Sequence, residues 1–366
     1  MEKNICYFVN SLVNGGVEAV LYNYLSRMDL SNMKIIFITN FPNNKKCCEK
    51  FINFGAKIYE APSKKRFLSY MFYVSKVLKK EKINIIHTHL GLNNFFPSFI
   101  SWINRIPVRI SHSHIYKKEN KKILDKIKCY FNILFSNYYM ACGQKAGEYM
   151  YGKNKKFYVL KNAIDLKKYT YNEEIRNKKR EELNLINKNI FLNIGRFSKQ
   201  KNQLFLIEIF NKIRQEDKNA HLLMVGGDGE LYDKIIEKID NYCLNDFVTI
   251  LKNRSDVNEI YQAADVFLLP SLLEGFPLVA LEAQTSGLPI ILSDEITSEA
   301  KINDNVYFLS IDNEKKWAEK AMICMKNNTR DKIVNKMLES KFNIDLSYSD
   351  LENKYEELLK KNKRSN

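Results

Sequence analysis

The chain has 366 residues, of which 45% are hydrophobic and 27% are charged, a composition that is typical of globular proteins and excludes an intrinsically disordered chain. Its formal net charge is +16, and the excess lies in the first half: residues 1–180 contain 33 Lys and Arg against 12 Asp and Glu, whereas residues 181–366 contain 25 against 30. The length predicts two domains, and the absence of any run of about 18 uncharged apolar residues excludes a predicted membrane-spanning helix.

The first half of the chain alternates strand and helix patterns. Short runs rich in Ile, Val, Phe and Tyr predict buried strands, and longer amphipathic runs predict helices between them. An alternation of this period predicts a parallel sheet with crossover helices. The predicted strands span residues 5–9, 34–39, 57–59, 83–87, 108–111 and 138–142, and the predicted helices span residues 17–27, 66–80 and 120–134.

The second half restarts the same alternation after residues 172–184, a charged stretch with few apolar residues that we interpret as the interdomain linker. The fold class expected for both halves is therefore α/β. The predicted strands span residues 190–194, 221–225, 248–251 and 266–269, and the predicted helices span residues 203–213, 230–239, 257–262, 278–284 and 350–361.

Cysteine and histidine usage argues against a bound metal. The seven cysteines form no C-x-x-C pair, so we expect buried thiols in a reducing cytosol. Four of the five histidines form two H-x-H pairs at predicted strand ends, His87 with His89 and His112 with His114. Side chains two residues apart on a strand point the same way, which keeps a metal site open as an alternative. No carboxylate ligand accompanies either pair, and we predict that no metal is bound.

Two glutamates, Glu274 and Glu282, lie eight residues apart across a predicted strand-to-helix junction. Gly275 permits a tight turn there, and Pro277 suits the first helical position. The free N–H groups at the start of this helix favour an anion. Glu274 stands at the mouth of the junction and Glu282 more than one turn along the helix, so the two carboxylates can meet hydroxyl groups on different parts of one ligand.

Arg196 and Lys201 follow the predicted strand at residues 190–194. They therefore project at the carboxyl edge of a sheet, where open α/β sheets bind their ligands. Gly15 and Gly16 likewise follow the first strand and open a helix, as a phosphate-facing loop requires. The G-x-G-x-x-G fingerprint of nicotinamide oxidoreductases is absent from this loop, which argues against that class.

The motif E-x7-E, with Gly275-Phe276-Pro277-Leu278 after its first glutamate, resembles the signature of the family-4 retaining glycosyltransferases. Further landmarks of that family follow in the expected order along nearly the whole chain, which makes the resemblance specific. They are Asn14-Gly15-Gly16-Val17-Glu18, His87-Thr88-His89, Ser111-His112-Ser113-His114, Asn162-Ala163-Ile164-Asp165, Gly195-Arg196-Phe197 with Lys201-Asn202, and Gly226-Gly227-Asp228-Gly229. Ala163 departs from the pattern, since the family commonly has Gly at this position.

This resemblance implies the GT-B fold, with two Rossmann-like lobes that face each other across a cleft and a C-terminal helix that crosses back to the first lobe. The expected acceptor-binding lobe comprises residues 1–175 together with a final helix at about residues 347–366. The expected nucleotide-sugar-binding lobe comprises residues 186–345.

The resemblance also assigns roles to residues of the expected site. Arg196 and Lys201 would hold the donor's diphosphate as the leaving group, while Glu274 and His114 would complete the catalytic set. His112 remains a rival to His114, because the doubled H-x-H leaves the register open. The expected donor-binding residues are Gly15, Gly16, Gly275, Phe276, Pro277, Leu278 and Glu282. No metal cofactor is expected, in agreement with the absence of an Asp-x-Asp motif from the sequence.

The expected reaction moves a sugar from a nucleotide sugar, more commonly UDP-linked than GDP-linked in this family, to a saccharide acceptor. Resemblance to capsule and exopolysaccharide enzymes suggests a polyprenyl-diphosphate-linked acceptor. The basic first half then predicts a cytoplasmic protein bound peripherally to an anionic membrane, with Lys64, Lys65, Arg66, Lys117, Lys118, Lys121 and Lys122 as candidate contacts. A catalytically inactive, membrane-docked partner subunit is the alternative. No groove-reading helix or stacking module predicts a nucleic-acid partner.

Overall fold

The computed structural model describes residues 2–13, 15–118, 121–227, 229–327, 330 and 336–364. The chain divides into two compact units. Unit 1 comprises Met1–Ala163 together with Ile344–Asn366, and unit 2 comprises Ile164–Asn343. Each unit contains its own parallel sheet covered by helices, which confirms the expected α/β fold class of two Rossmann-like domains.

The sheet of unit 1 has seven strands in the order β3-β2-β1-β4-β5-β6-β7, and every neighbouring pair runs parallel. The chain order reverses between β1 and β4, and the carboxyl ends of strands at such a switch point flank the usual ligand-binding crevice. The strands are β1 (Lys3–Val9), β2 (Met33–Thr39), β3 (Lys57–Glu60), β4 (Ile85–Thr88), β5 (Val108–Ser113), β6 (Tyr138–Ala141) and β7 (Tyr158–Val159).

Helices cover both faces of this sheet, so its central strands are largely buried. All seven residues of β1 are buried. The helices of unit 1 are α1 (Gly16–Leu25), α2 (Lys45–Ile52), α3 (Phe67–Lys80), α4 (Phe95–Ile103), α5 (Ile123–Phe135) and α6 (Gln144–Tyr151), followed at the end of the chain by α13 (Ile344–Arg364).

Helix α13 belongs to unit 1 although it follows unit 2 in the sequence. It buries Leu351, Tyr355 and Leu358, which recur every three or four residues and form one apolar stripe. The helix also forms an ion pair with β1, in which the buried Lys3 lies 2.9 Å from Glu356. The predicted final helix is therefore present, and it begins three residues earlier than the expected boundary at 347.

The sheet of unit 2 has six strands in the order β10-β9-β8-β11-β12-β13, with its switch point between β8 and β11. Two apolar clusters fill its two faces, one of them around the fully buried Trp317. The strands are β8 (Asn189–Ile194), β9 (Ala220–Gly226), β10 (Val248–Lys252), β11 (Val266–Leu269), β12 (Ile290–Ser293) and β13 (Val306–Leu309). The helices are α7 (Glu173–Glu182), α8 (Gln203–Glu216), α9 (Tyr232–Asn241), α10 (Val257–Ala263), α11 (Leu278–Thr285) and α12 (Glu314–Lys326).

The stretch interpreted as an interdomain linker instead forms helix α7, which packs on α10 inside unit 2. Its contacts are polar: Arg180 donates to Asp265 Oδ2 at 2.6 Å, and Arg176 pairs with the other oxygen of the same carboxylate. A helix attached by buried ion pairs needs few apolar residues. The composition of α7 is therefore similar to that of a linker, and the linker prediction is wrong. The division between the units falls at 163/164, earlier than the expected boundary at 175.

The sequence analysis did not predict helices α2, α4 and α6 or strands β7, β12 and β13. Helix α4 has no polar face because it packs against both α3 and α5, and such all-apolar runs give no helical period. In the described parts of the chain, every helix is either too short or too polar to cross a lipid bilayer.

Candidate functional site

The carboxyl ends of β8 and β11 bring together most of the predicted site residues of unit 2. These neighbouring strands lie at the switch point of the sheet. The loops that follow them are joined, because Leu272 N donates to Gln200 O at 2.8 Å and Gln200 Nε2 donates to Leu273 O at 2.7 Å. The buried Asn193 side chain adds a bond to Leu268 O at 2.7 Å. The two loops therefore form one polar surface at the edge where ligands bind.

Lys201 and Glu274 form an ion pair on this surface. Lys201 Nζ lies 2.6 Å from Glu274 Oε1, with the two side chains 17% and 9% exposed. The Lys201 stem passes close to Gly195, where an added Cβ would lie 3.1 Å from Lys201 Cε. Arg196, in contrast, is exposed. The structure thus places two cations and a carboxylate beside the start of helix α8, the end of a helix that attracts anions.

The glycines of the Gly226–Gly229 motif permit close packing of backbones. A Cβ at Gly226 would lie 2.4 Å from Gly195 O, and one at Gly229 would lie 2.0 Å from Phe197 O. The loop after β9 therefore presses directly on the loop that carries Arg196. Asp228 of this motif lies outside the described residues, as does Asn14 of the first glycine motif.

Glu282, on helix α11, is half-buried and held by two tyrosines. Tyr261 donates to Oε2 at 2.8 Å and Tyr169 to Oε1 at 3.1 Å. Burial raises the pKa of Glu282, while the two tyrosine hydroxyls and Lys201 oppose that rise. A carboxylate offers about four acceptor positions, so each oxygen can still accept one hydroxyl proton from a ligand.

The segment between the two glutamates is packed and largely buried. Phe276 is buried and stacks on Phe342 with ring centroids 5.1 Å apart. Gly275 is half-buried, whereas Pro277 and Leu278 are buried. Pro277 is the N-cap of α11, whose first helical residue is Leu278. The expected first helical position of Pro277 is therefore wrong by one residue.

In unit 1, Gly15 forms the N-cap of helix α1 and Gly16 its first residue. An added Cβ on Gly15 would lie 2.4 Å from Glu18 Oε2. The glycine therefore leaves room for the Glu18 carboxylate to fold over the start of α1. A negative group at this position suits the positive end of the helix.

The four histidines of unit 1 gather in one stacked array at the ends of β4 and β5. His87 Nε2 lies 3.0 Å from His112 Nδ1, and His89 Nδ1 lies 2.8 Å from His114 Nε2. His87, His89 and His112 are buried, and His114 is half-buried. Burial lowers the pKa of His114 to about 4 and also lowers the pKa of the other three. All four imidazoles are thus neutral at pH 7.

Two buried tyrosines extend the array. His87 Nδ1 lies 2.7 Å from the Tyr355 hydroxyl of α13, which lies 2.8 Å from the Tyr7 hydroxyl of β1. One ring nitrogen each of His87, His89 and His112 lie within 4.8 Å of one another, a spacing that a metal ion can bridge. Both ring nitrogens of His87 already have hydrogen-bond partners, however, so a metal would have to displace one. The absence of a metal stays a prediction.

Sequence reasoning predicted both glutamates, the basic pair and the histidines as site residues, but it did not predict the tyrosines that contact Glu282 and His87. Tyr169 and Tyr261 lie far from Glu282 along the chain, and Tyr355 lies 268 residues from His87. Only the contacts of their hydroxyl groups distinguish them from the other tyrosines in the sequence.

One protein-family model matches most of unit 2. Residues 173–339 match the model described as glycosyl transferases group 1. Among curated proteins, the putative glycosyltransferase EpsF of Bacillus subtilis is 26% identical over 313 residues, which cover 81% of each chain. The capsular polysaccharide biosynthesis glycosyltransferase CapH of Staphylococcus aureus is 26% identical over 64% of this chain and 66% of its own length.

A third relative is an Escherichia coli UDP-Gal:alpha-D-GlcNAc-diphosphoundecaprenol alpha-1,3-galactosyltransferase, 29% identical over 60% of each chain. Among solved structures, Anabaena HepE in complex with UDP-glucose superimposes with a TM-score of 0.78 at 16% identity, covering 98% of both chains. A glycosyltransferase from Rickettsia africae gives the same TM-score at 19% identity, covering 98% of this chain and 99% of its own.

The buried neutral histidines make stability dependent on pH. In the unfolded chain a histidine titrates near pH 6.5, so below that pH the unfolded state takes up protons that the folded state excludes. The stabilisation is therefore complete above about pH 6.5 and is lost as the pH falls toward about 4, the pKa of folded His114. Between pH 7 and pH 5 we expect the free energy of unfolding, measured by urea titration, to fall by about 2 kcal/mol through His114. The other buried histidines should increase this fall.

His221 of unit 2 has its pKa lowered to about 4 as well, so a His221→Gln variant is the matched control. We expect this variant to keep most of the pH dependence, because four of the five titrating groups remain. A free energy of unfolding that does not change between pH 7 and pH 5 would contradict the burial of neutral histidines.

Proposed function

Since the chain carries a glycosyl transferases group 1 domain at residues 173–339 on a GT-B fold, we propose that it transfers a sugar, with retention of anomeric configuration, from a UDP-sugar to a lipid-linked saccharide. The observation that carries this proposal is the contact of Lys201 with Glu274 at the joined loop ends of β8 and β11. Glycosyl transfer develops positive charge on the sugar ring and negative charge on the departing diphosphate. A cation and a carboxylate in contact meet both needs.

Arg196 and Lys201 act on the leaving group. The exposed Arg196 guanidinium is able to bind two phosphate oxygens at once. Lys201 gives up part of its contact with Glu274 when a phosphate arrives, which leaves the Glu274 carboxylate next to the sugar. These two cations neutralise the diphosphate, so the proposed reaction needs no metal ion.

Glu282 holds the nucleoside. Its two oxygens, each fixed by one tyrosine hydroxyl, accept the protons of the two ribose hydroxyls. Gly275, Phe276, Pro277 and Leu278 shape the backbone beside the donor. Structures of HepE with UDP and with UDP-glucose support a uridine nucleotide.

In unit 1 the proposed substrate contacts are Gly15, Gly16 and His114. The glycines open helix α1, whose first N–H groups can bind a phosphate oxygen in place of the Glu18 carboxylate. His114 is the only half-buried member of the described histidine array, and as a neutral imidazole it can donate one hydrogen bond to a substrate oxygen.

The proposed acceptor is a polyprenyl-diphosphate-linked precursor of a capsular or exopolysaccharide. The names of the relatives from Escherichia coli and Campylobacter jejuni specify diphosphoundecaprenol-linked acceptors, and CapH belongs to capsule biosynthesis. A membrane-borne acceptor requires the enzyme to reach a lipid surface. We therefore propose that the protein works in the cytoplasm, bound peripherally to the inner face of the cell membrane.

A surface of unit 1 suits that attachment. Helix α4 packs between α3 and α5, and we name the outward side of these three helices the docking face. Its side chains include Phe72, Ile123 and Leu124, which are 74%, 76% and 71% exposed. The basic residues predicted as membrane contacts flank the starts of α3 and α5. An apolar surface bordered by cations matches the boundary between acyl chains and anionic headgroups.

UDP binding tests the nucleotide site. Because a ligand that binds only the folded state stabilises it, we expect millimolar UDP to raise the melting temperature of the wild-type protein, and GDP to raise it less. Glu282→Ala should abolish most of the shift and raise the KM for the donor at least as much as it lowers kcat. Glu295→Ala, which removes a half-buried carboxylate outside the motif, is the control. An unchanged UDP shift in Glu282→Ala would contradict the ribose contact.

The leaving-group contact is tested by kcat. Arg196→Ala and Lys201→Ala should each lower kcat about 10²-fold or more, as expected on removing one preorganised group that faces a developing anion. Lys199→Ala, which removes an exposed lysine from the same loop, should keep kcat within about twofold. EDTA should leave the activity intact. Near-native kcat in both Arg196→Ala and Lys201→Ala would exclude the proposed contact, and strong inhibition by EDTA would exclude metal independence.

Vesicle sedimentation tests the docking face. Binding to vesicles that contain anionic phosphatidylglycerol should be clear at low salt and weaken as salt screens the charges. Changing Lys117, Lys118, Lys121 and Lys122 to Gln should weaken binding, by about 1 kcal/mol per charge at most, while transfer to a short soluble acceptor continues. The matched control changes Lys234, Lys315, Lys316 and Lys326 of unit 2, which are all exposed. Absent or salt-insensitive binding of the wild-type protein would contradict the proposal.

A further inference from the structure

The histidine array and its two tyrosines contain one continuous series of contacts: Tyr7 hydroxyl, Tyr355 hydroxyl, His87 and His112. Each member of the series is buried, so water does not supply or remove protons along it. Each contact joins two groups that are both able to donate and accept. The direction of donation is therefore decided by which arrangement leaves fewer buried groups without a partner.

Neutral imidazole carries one proton, so the two histidines can donate in only two directions, away from Tyr355 or toward it. If Tyr7 donates to Tyr355, then Tyr355 donates to His87 Nδ1 and His87 Nε2–H donates to His112 Nδ1. The remaining proton then lies on His112 Nε2, an atom with no partner among the described residues. Every other O–H and N–H in the series has an acceptor.

The opposite direction is less favourable. If His112 Nδ1–H donated to His87, and His87 Nδ1–H to Tyr355, the Tyr355 hydroxyl would donate to Tyr7. The Tyr7 proton would then need an acceptor, and within the described parts of the chain Tyr7 makes only the bond to Tyr355. A buried hydroxyl proton would be left unbonded, in addition to His112 Nε2. The first direction leaves one orphan group and the second leaves two.

The tautomers of His89 and His114 depend on the tautomers of His87 and His112. His89 Nε2 is the other buried imidazole nitrogen without a described partner, and the His89 and His112 rings have centroids 5.0 Å apart. A second buried Nε2–H without an acceptor would cost more than a lone pair there, so the favourable state of His89 Nε2 is a lone pair. The proton of His89 then lies on Nδ1 and donates to His114 Nε2, which leaves the proton of His114 on Nδ1.

We infer that Tyr355 and His87 are positioning residues: through directed hydrogen bonds they fix His112 as the Nε2–H tautomer, and through His89 they favour His114 as a neutral Nδ1–H donor. The half-buried His114 then donates this hydrogen bond to a substrate oxygen, a step that rests on the proposed function. Helix α13 then has a role beyond packing, because its Tyr355 hydroxyl supplies the proton that sets the first imidazole.

The tautomers are directly measurable. In the full-length protein with ¹⁵N-labelled histidine, long-range ¹H–¹⁵N correlation spectra at pH 7.5 distinguish Nδ1–H from Nε2–H rings, and His221→Gln identifies the one histidine of unit 2. We expect Nε2–H for His87 and His112, and Nδ1–H for His89 and His114. A His112 ring protonated at Nδ1 in the wild-type protein would overturn the inference, whatever the enzyme's activity.

Variants test the positioning role. Tyr355→Phe removes the donor to His87 and should convert the single His112 tautomer into a mixture, with kcat lowered about tenfold or more and the donor KM changed less than about twofold. Tyr70→Phe removes another buried hydroxyl of unit 1, bonded to Asn40 Oδ1, and should change neither the tautomers nor kcat. A Tyr355→Phe protein with wild-type tautomers would overturn the inference.

His87→Gln provides a second variant that does not depend on Tyr355. A glutamine amide can accept from Tyr355 and donate to His112, so the His112 tautomer should stay Nε2–H and kcat should be higher than in His87→Leu. Equal tautomer mixtures in His87→Gln and His87→Leu would contradict the directed series. If the wild-type protein showed the expected tautomers but no transfer, the proposed function would fail while the directed series remained established.

Discussion

Parallel strand pairing is the constraint on which the rest of the structure depends. In both units every registered strand pair is parallel, so all strands of a sheet end at the same edge. Residues that are distant in sequence but stand just after strands therefore meet without any long-range signal of their own. Lys201 and Glu274, 73 residues apart, contact each other for this reason. His87 meets His112 because β4 and β5, the strands that contain them, are neighbours in the other sheet.

This constraint explains how the sequence could place candidate site residues at strand ends although it missed some of the fold. Ten of the thirteen strands in the described parts of the chain were predictable because buried parallel strands are mostly apolar, whereas β7, β12 and β13 were missed. The candidate site residues follow from where the predicted strands stop. Helix α4 was missed because packing on two sides removes the polar face that gives a helix its period. Helix α7 was taken for a linker because buried ion pairs of Arg176 and Arg180 with Asp265 replace the apolar face that sequence reasoning expects.

The tyrosines are the part of the site that sequence reasoning could not supply. A tyrosine that fixes a functional carboxylate or imidazole has the same local pattern as one that fills a core. Tyr169 and Tyr261 become recognisable only when their hydroxyls are seen on Glu282, and Tyr355 only when its hydroxyl is seen between Tyr7 and His87. In each case the tyrosine comes from a separate element of the fold. Its apolar ring packs in the interior, and its hydroxyl orients the carboxylate or imidazole that it contacts.

The lysines must be divided into buried residues that pair with carboxylates and exposed residues before their charge is assigned a role. Lys3, Lys179 and Lys201 have side chains less than 20% exposed, and each pairs with a carboxylate. Their fields are largely cancelled at short range, so they contribute to local structure rather than to attraction of a distant surface. Even on the docking face Lys117 lies 3.5 Å from Asp125. The long-range field of unit 1 therefore comes from exposed residues such as Lys65 and Lys122. The exposed apolar side chains beside them add the burial in lipid that turns electrostatic attraction into attachment.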